Sequence, residues 1–312
     1  MKEYELNYYP YFKCISNKCK HTCCAGWEMN IDEHSLECYK NEQSQFKSTL
    51  QKGINFKKSK FKTDKLKRCA FLNDKGLCEI IINLGENSLC QVCRDHPRFR
   101  NYFNDRVEMG LGLTCEQASR IVLSFEDKIV PILTIDDKES ADLDFNQKNV
   151  LEFRKKALDL VQDRALSIDE RINNLLTLSK ANISEKDFSK IIKTFLSLEK
   201  VDKTFSNRLK SIKNSPKLST EKDFSLWAEQ FLVNSLYRHL SDAEDTMWVR
   251  ARTIACVLGW WLINAIIENE RTENTSLFEV AVDVVRAYST EVEYSFKNLQ
   301  KLFNLAYEFI KI

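Results

Sequence analysis

Several things are scarce in this chain, and each scarcity removes a class of protein. Neither sign of charge is in excess: 47 Lys and Arg face 45 Asp and Glu, so no global field draws the chain toward nucleic acid or an anionic membrane. A charged partner must be recognised locally. Long apolar runs are missing too. The longest stretch without a charged residue, Thr253 to Ile267, falls short of the roughly 20 residues of a membrane-spanning helix and reads as a buried helix. Met1 to Phe12 lacks the apolar run and small-residue cleavage site of a signal peptide, so export is not expected and a cytoplasmic location is. Glycine amounts to seven residues. No Gly-x-Gly-x-x-Gly occurs, and Gly110 with Gly112 does not make a phosphate-cradling turn.

Cysteine is abundant instead. Of eleven, ten lie between Cys14 and Cys115, and a cytosolic chain with so clustered a set uses it for metal or redox chemistry. The odd total and the adjacent pair Cys23-Cys24 fit a disulfide framework poorly. Composition divides the chain at about residue 130, since the remainder holds one cysteine, Cys256, and one glycine, Gly259. Pro131 and the charged stretch Asp136 to Asp144 mark the change. The expected fold is therefore mainly α, with a cysteine-rich metal-binding N-terminal domain over residues 1–130 followed by a C-terminal helical bundle over 131–312.

From Gln147 onward, six to eight helices and no substantial sheet are expected. Capping-box patterns stand at Ser167-x-x-Glu170, Ser184-x-x-Asp187 and Thr220-x-x-Asp223. Phe224, Trp227, Phe231 and Leu232 share one helical face; so do Phe278, Val282, Val285, Val292, Phe296, Leu299 and Phe303. Both stripes read as core, as do His239 and the Trp260-Trp261 pair. Asn214-Ser-Pro216 marks a loop. In the first half, Trp27, Met29 and Ile31 alternate with polar residues as in a half-buried strand, and a helix is expected from Asp32 to Lys52. Between Lys52 and Arg68 seven lysines and one arginine face a single acid, Asp64. Interleaved with Phe56 and Phe61, such a segment can bind single strands, but without an accompanying motif it reads as a solvated loop, and no nucleic-acid partner is expected.

The cysteine spacing is the strongest chemical signal: Cys14-x4-Cys19-x3-Cys23-Cys24, then Cys69-x8-Cys78-x11-Cys90-x2-Cys93, then Cys115. Thiolates must converge within about 2.3 Å of one ion, and a two-residue gap lets a tight turn aim both sulfurs inward. Cys90 and Cys93 are the firmest ligand pair. Adjacent cysteines project in different directions, so one of Cys23 and Cys24 enters a given ligand set more easily than both. With only four histidines in the chain, a thiolate-rich set suits zinc or iron–sulfur rather than magnesium or calcium. One Cys-x-x-Cys knuckle is short of a zinc ribbon, and the bacterial ferredoxin run is absent, so spacing leaves the metal open.

The segments Phe12-Lys-Cys14, Cys19-Lys-His-Thr-Cys23-Cys24-Ala-Gly26-Trp27, Cys69-Ala-Phe71-Leu72, Leu77-Cys78, Leu84-Gly85-Glu86, Leu89-Cys90-Gln-Val-Cys93-Arg94, Pro97-Arg98 and Leu113-Thr-Cys115-Glu-Gln-Ala118 together resemble the ordered motif series of the flagellin lysine-N-methylase family. A looser likeness links them to a zinc/iron-chelating family named for its Cys-x-x-Cys-x-Cys-Cys pattern. The first resemblance implies methyl transfer from S-adenosylmethionine to flagellin lysines, a [4Fe–4S] cluster, and metal ligands drawn from Cys14, Cys19, Cys23, Cys24, Cys69, Cys78, Cys90, Cys93 and Cys115. Cys38 and Cys256 fall outside the series. The Cys-x3-Cys-x2-Cys signature of radical enzymes using that donor is not met, because Gly26 stands where the third cysteine belongs. Methylating lysine needs its lone pair, so a base is required; Glu28, Asp32, Asp95, His96 and Glu116 lie near the motifs, with His21 and His96 placed to hydrogen-bond ligands. The competing class is a non-enzymatic module whose cysteines hold zinc and whose helical half docks a partner.

Overall fold

The computed structural model describes residues 1–26, 29–136, 141–202, 204–212 and 221–311. Along the chain come β1 (Lys2–Leu6), α1 (Glu33–Asn41), α2 (Lys47–Gly53), β2 (Ile54–Asn55), β3 (Lys60–Phe61), α3 (Glu79–Leu84), α4 (Gln91–Asp95), β4 (Arg98–Tyr102), β5 (Arg106–Leu111), α5 (Glu116–Leu123) and β6 (Pro131–Ile135). Helices follow: α6 (Phe145–Val161), α7 (Ile168–Leu178), α8 (Phe188–Leu196), α9 (Phe205–Lys210), α10 (Lys222–Leu240), α11 (Thr246–Glu270), α12 (Leu277–Tyr288) and α13 (Phe296–Tyr307). The chain is mainly helical. It divides into two compact units, Lys13–Pro97 and Met1–Phe12 with Arg98–Ile312. The segment from 98 to 130, which composition groups with the cysteines, therefore belongs to the helical unit.

In the smaller unit, Met29, Ile31, Leu36, Tyr39, Phe46, Leu50, Ile54, Phe61, Phe71 and Ile80 form an apolar core. Met29 and Ile31 point inward while Asn30 is exposed, as alternation predicts; Trp27 and Glu28 lie outside the described residues. The helix expected from Asp32 to Lys52 is two helices. Glu42 breaks it, its Oε1 accepting from the N–H of Gln43 at 2.9 Å and of Ser44 at 2.7 Å, and such local side-chain bonds compete with helix propagation. The lysine-rich segment forms the β2–β3 ladder, in which Ile54 pairs with Phe61. Phe61 is buried and Phe56 packs on the core, so these aromatics are structural. Gly85 ends α3 at φ +86, its N–H donating to the Ile81 carbonyl at 3.0 Å, a left-handed cap at which side chains are strained.

The larger unit contains a four-stranded sheet in the order β4-β5-β1-β6 that sequence periodicity did not reveal. β1 runs parallel to β5, with Lys2 opposite Arg106, and antiparallel to β6; β4 and β5 pair antiparallel from Arg98–Leu111 to Tyr102–Val107. Pro131 opens β6, an edge strand where a missing N–H is tolerated. Asn101 Nδ2 donates to the Tyr237 carbonyl at 2.6 Å, fixing β4 on α10.

Eight helices follow residue 144 among the described residues. α10 and α11 are buried on nearly every face; α11 is correspondingly apolar, whereas α10 also buries Glu229, Gln230, Asn234 and Ser235. α11 is long and apolar enough to cross a membrane by length and composition, yet 78% of its most apolar window lies buried inside the unit. Ser167 and Glu170 make the expected capping box. At Ser184 half of one forms: Asp187 Oδ2 accepts from the Ser184 N–H at 2.8 Å. Thr220 and Asn214-Ser-Pro216 lie outside the described residues. Phe224, Trp227, Phe231 and Leu232 are buried as expected. The second stripe breaks: a π-helical turn, Ser289–Glu293, separates α12 from α13, and Phe296 is 82% exposed.

Gly259 lets α11 and α12 approach. A Cβ there would meet Tyr288 Oη at 2.3 Å and Cζ at 2.7 Å, and the ring is held by Phe195, Phe205 and Phe231 at centroid distances of 6.3, 6.1 and 5.8 Å. Gly259→Ala gains up to about 1 kcal/mol of helix propensity but overpacks a site that cannot yield, at about 1–3 kcal/mol. Net destabilisation is expected, seen as a lower urea midpoint; an unchanged or higher midpoint would show that the tyrosine ring can move.

Candidate functional site

Five cysteines gather round the core of the smaller unit. Cys69 and Cys90 are buried in it, and Cys24, Cys78 and Cys93 pack against it. All five are thiols, not disulfides. The chain brings them together through short links: the Cys69 N–H donates to the Cys24 carbonyl at 2.8 Å, Leu72 bridges Cys78, and Cys90 and Cys93 flank the first turn of α4 with the Cys93 N–H on the Cys90 carbonyl at 3.1 Å. Cys14, Cys19 and Cys23 belong to the same unit, the first and third of them exposed. Cys115 belongs to the helical unit, where it precedes α5. Cys38 is exposed on α1 with its Sγ 3.8 Å from His34 Nε2, and Cys256 is buried in α11.

The thiols influence one another. A hydrogen bond from the Cys93 thiol, aided by the N–H groups of Cys93 and Val92, holds Cys90 below the ordinary thiol range against the cost of burial. Cys93 is pushed up by that same bond, by burial, and by Cys90, Cys24 and Cys69. Cys24 falls to about 7 because the Cys23 thiol donates to it, with help from the Thr22 hydroxyl. Burial pushes Cys69 up to about 12, and Cys24, Cys78 and Cys90 add to it although the Phe71 N–H opposes. Cys78 is raised chiefly by burial, against N–H donation from Ile81 and Ile80.

Soft donors on one small core, three of them receiving backbone N–H groups, fit a thiolate-ligated metal ion or iron–sulfur cluster in chemistry. Among the described residues, no three His, Cys, Asp or Glu side chains stand together as a closed ligand set.

Asp32 ties this unit together. Its Oδ1 accepts from the Ser35 N–H at 2.9 Å, capping α1, and its Oδ2 accepts from the Gln91 N–H at 2.8 Å, capping α4 behind Cys90. Burial works to raise its carboxyl, and these bonds outweigh it and hold the group below the usual range. A side chain so committed is a poor proton acceptor, which removes it from the bases weighed above. Glu116 is buried beside Arg120 at 3.5 Å, Asp95 ends α4 and His96 follows it; Glu28 lies outside the described residues.

The helical unit holds a cavity of about 420 Å³ with His239 and Glu293 in its wall. Sequence reasoning placed His239 in the core because it lies on an apolar helix; only its distance from Glu293, 3.1 Å across 54 residues, marks it out, and no local pattern encodes that.

Three curated proteins resemble the chain. A lysine-N-methylase of Salmonella choleraesuis (strain SC-B67) is 23% identical over 164 residues, 50% of this chain and 40% of that protein. One of Salmonella typhimurium (strain LT2) is 23% identical over 157 residues, 48% and 38%. The flagellar biosynthetic protein FliU of Salmonella muenchen is 24% identical over 131 residues, 39% of this chain and 78% of that one. The chain is related to the flagellin lysine-N-methylase family. The match spans about two fifths of the two lysine-N-methylases' own length. No protein-family model and no solved structure matches the chain.

Losing both caps of Asp32 in Asp32→Ala should cost about 1 kcal/mol at each helix start, and amide exchange at Ser35 and Gln91 should accelerate accordingly. Because the folded carboxyl titrates below its unfolded value, its stabilisation is present above the ordinary carboxylate range and disappears as pH falls through the lowered value. Unchanged exchange at both amides in Asp32→Ala would refute the double cap.

Proposed function

We propose that this protein is a protein-lysine N-methyltransferase that moves a methyl group from S-adenosylmethionine to flagellin lysines in the cytoplasm, with its cysteine-rich unit holding a [4Fe–4S] cluster. The observation that carries the reading is its kinship with lysine-N-methylases; the gathering of Cys24, Cys69, Cys78, Cys90 and Cys93 round one core supports the cluster. The N–H groups of Phe71, Ile80, Ile81, Val92 and Cys93 stabilise sulfur in its anionic form, and Asp32 fixes the turn that carries Cys90. When bound, such a cluster supplies an iron with Lewis acidity toward amine and carboxylate donors.

The deciding assay incubates anaerobically purified protein with methyl-labelled S-adenosylmethionine and the flagellin of the same organism. Label on flagellin lysines is expected, as is brown protein with iron and acid-labile sulfide. Colourless protein carrying zinc and transferring nothing would favour the non-enzymatic module.

Replacement of Cys90 or Cys93 by serine should lose metal, because a hydroxyl is a poor soft-metal ligand, and loosen the smaller unit more than the helical one. Cys38→Ser and Cys256→Ser should keep it. Metal per chain, measured with the far-ultraviolet helical signal, decides. Full metal content in both Cys90→Ser and Cys93→Ser, or its loss in Cys256→Ser, would contradict this ligand assignment.

A further inference from the structure

His239 and Glu293 form a buried histidine–carboxylate pair at the wall of the cavity in the helical unit. His239 Nε2 lies 3.1 Å from Glu293 Oε1, and both side chains are almost wholly buried, 9% and 2% exposed. Burial acts to raise the Glu293 carboxyl, but Arg238 and the His239 bond outweigh it and bring it to about 2. An ionised carboxylate only accepts, so Nε2 carries the proton of this bond, and in the neutral ring the lone pair is then on Nδ1. The other carboxylate oxygen is also engaged: Ser289 Oγ donates to Oε2 at 2.5 Å, and Arg238 Nη1 stands 3.5 Å away. Ser289 and Glu293 are the two ends of the π-helical turn, a rare distortion of helical hydrogen bonding that recurs at functional sites. The turn, the oriented imidazole and the cavity thus coincide.

We propose that this cavity receives the side-chain amine of the acceptor lysine and that His239 Nδ1 takes its proton, with Glu293 as the positioning residue. The assignment rests on the methyl-transfer reading above and supplies the base it requires. The ammonium N–H bond breaks as the Nδ1–H bond forms. The freed lone pair then makes the N–CH3 bond while the methyl–sulfur bond of S-adenosylmethionine breaks, its electrons leaving on the thioether. The imidazolium, stabilised by Glu293, returns its proton to water.

The cavity wall suits this substrate. Phe99, Tyr102, Phe296 and Phe303 line it and offer apolar surface to a four-carbon stem. The charged residues of the same wall are Glu293 from the π-helical turn, Arg238 from α10, Asp242 just beyond it, Arg252 from α11 and Arg100 from β4. The acids are answered within the wall. Arg252 pairs with Asp242 and donates to the His239 carbonyl at 2.9 Å, while Arg238 lies over the rings of Phe99 and Tyr294 at 5.8 and 5.3 Å. Guanidinium groups near an incoming lysine disfavour its charged form and so favour the neutral amine that reacts. They weaken its binding for the same reason, and affinity must come from the rest of the protein substrate.

The experiment compares metal-replete wild type with His239→Ala, His239→Gln and Glu293→Gln in the flagellin assay, each checked for its helical signal. General-base catalysis contributes about 10²- to 10⁴-fold, so both His239 variants should lose that much kcat with KM little changed, and added imidazole should restore part of the His239→Ala rate. Glu293→Gln should lose less kcat, again with KM little changed, because the amide no longer fixes which ring nitrogen carries the proton. A structural role for the pair would move none of these readouts in variants that stay folded. Nitrogen NMR of the wild-type ring should find the neutral Nε2–H tautomer, and this measurement decides if the His239 variants fail to fold. The assignment is overturned by an Nδ1–H tautomer, or by folded His239 variants that transfer as fast as wild type. Absence of transfer by wild type to flagellin or any other protein lysine overturns the methyl-transfer reading and this assignment together.

Discussion

Five thiols share one small core in the smaller unit, and their closeness bears on the proton affinity of each. Each thiolate raises the proton affinity of its neighbours: Cys69 is pushed up by burial and then by Cys24, Cys78 and Cys90, and Cys93 by its bond to Cys90 and by burial. Yet the backbone works the other way, directing N–H groups at Cys69, Cys78 and Cys90. Cys24 and Cys90 are the two lowered members. Each is assisted by a neighbouring thiol, Cys23 and Cys93.

The helical unit shows a different use of buried charge. Glu229 takes Arg164 and Arg171, both at 2.8 Å; Glu108 takes Arg154 at 2.6 Å, with the guanidinium over the rings of Phe103 and Tyr237; Glu291 accepts from the N–H groups of Val201 and Asp202. Each carboxylate joins segments distant in sequence. Such pairs return little net stability against a hydrophobic substitute, because desolvation offsets their attraction, but breaking one leaves a charge stranded. They make the packing specific. Glu293 differs from them in its partner, a histidine ring that lines a cavity.

The sequence is legible where a signal is local or where residues of one kind cluster. Capping at Ser167, the buried stripe from Phe224 to Leu232 and the buried run inside α11 follow from short-range pattern, and the cysteine spacing anticipated that Cys90 and Cys93 would share a turn. The four-stranded sheet was not legible. β1 and β5 pair across about a hundred residues, β6 is exposed along its whole length, and strands so short carry little alternation to read. Composition also misplaced residues 98–130. They carry two glycines and Cys115, but Leu111, Leu113, Ala118, Val122 and Leu123 pack into the core of the helical unit, and packing rather than composition decides where a segment belongs.

The stripe from Phe278 to Phe303 failed for a more informative reason. Val282, Val285, Val292 and Phe303 are buried as a helical period requires, whereas Phe296 is not. A single helical period does not run through this segment, because after the π-helical turn Ser295 is extended and caps a new helix of which Phe296 is the first residue. The departure lies between Ser289 and Glu293, so the residue thrown out of the core, Phe296, and the carboxylate at the end of the turn, Glu293, both come to line the same cavity. Local rules are expected to break where function demands a geometry the regular helix does not offer. Here the break leaves an aromatic exposed at the start of α13 and ends on a buried carboxylate set against His239.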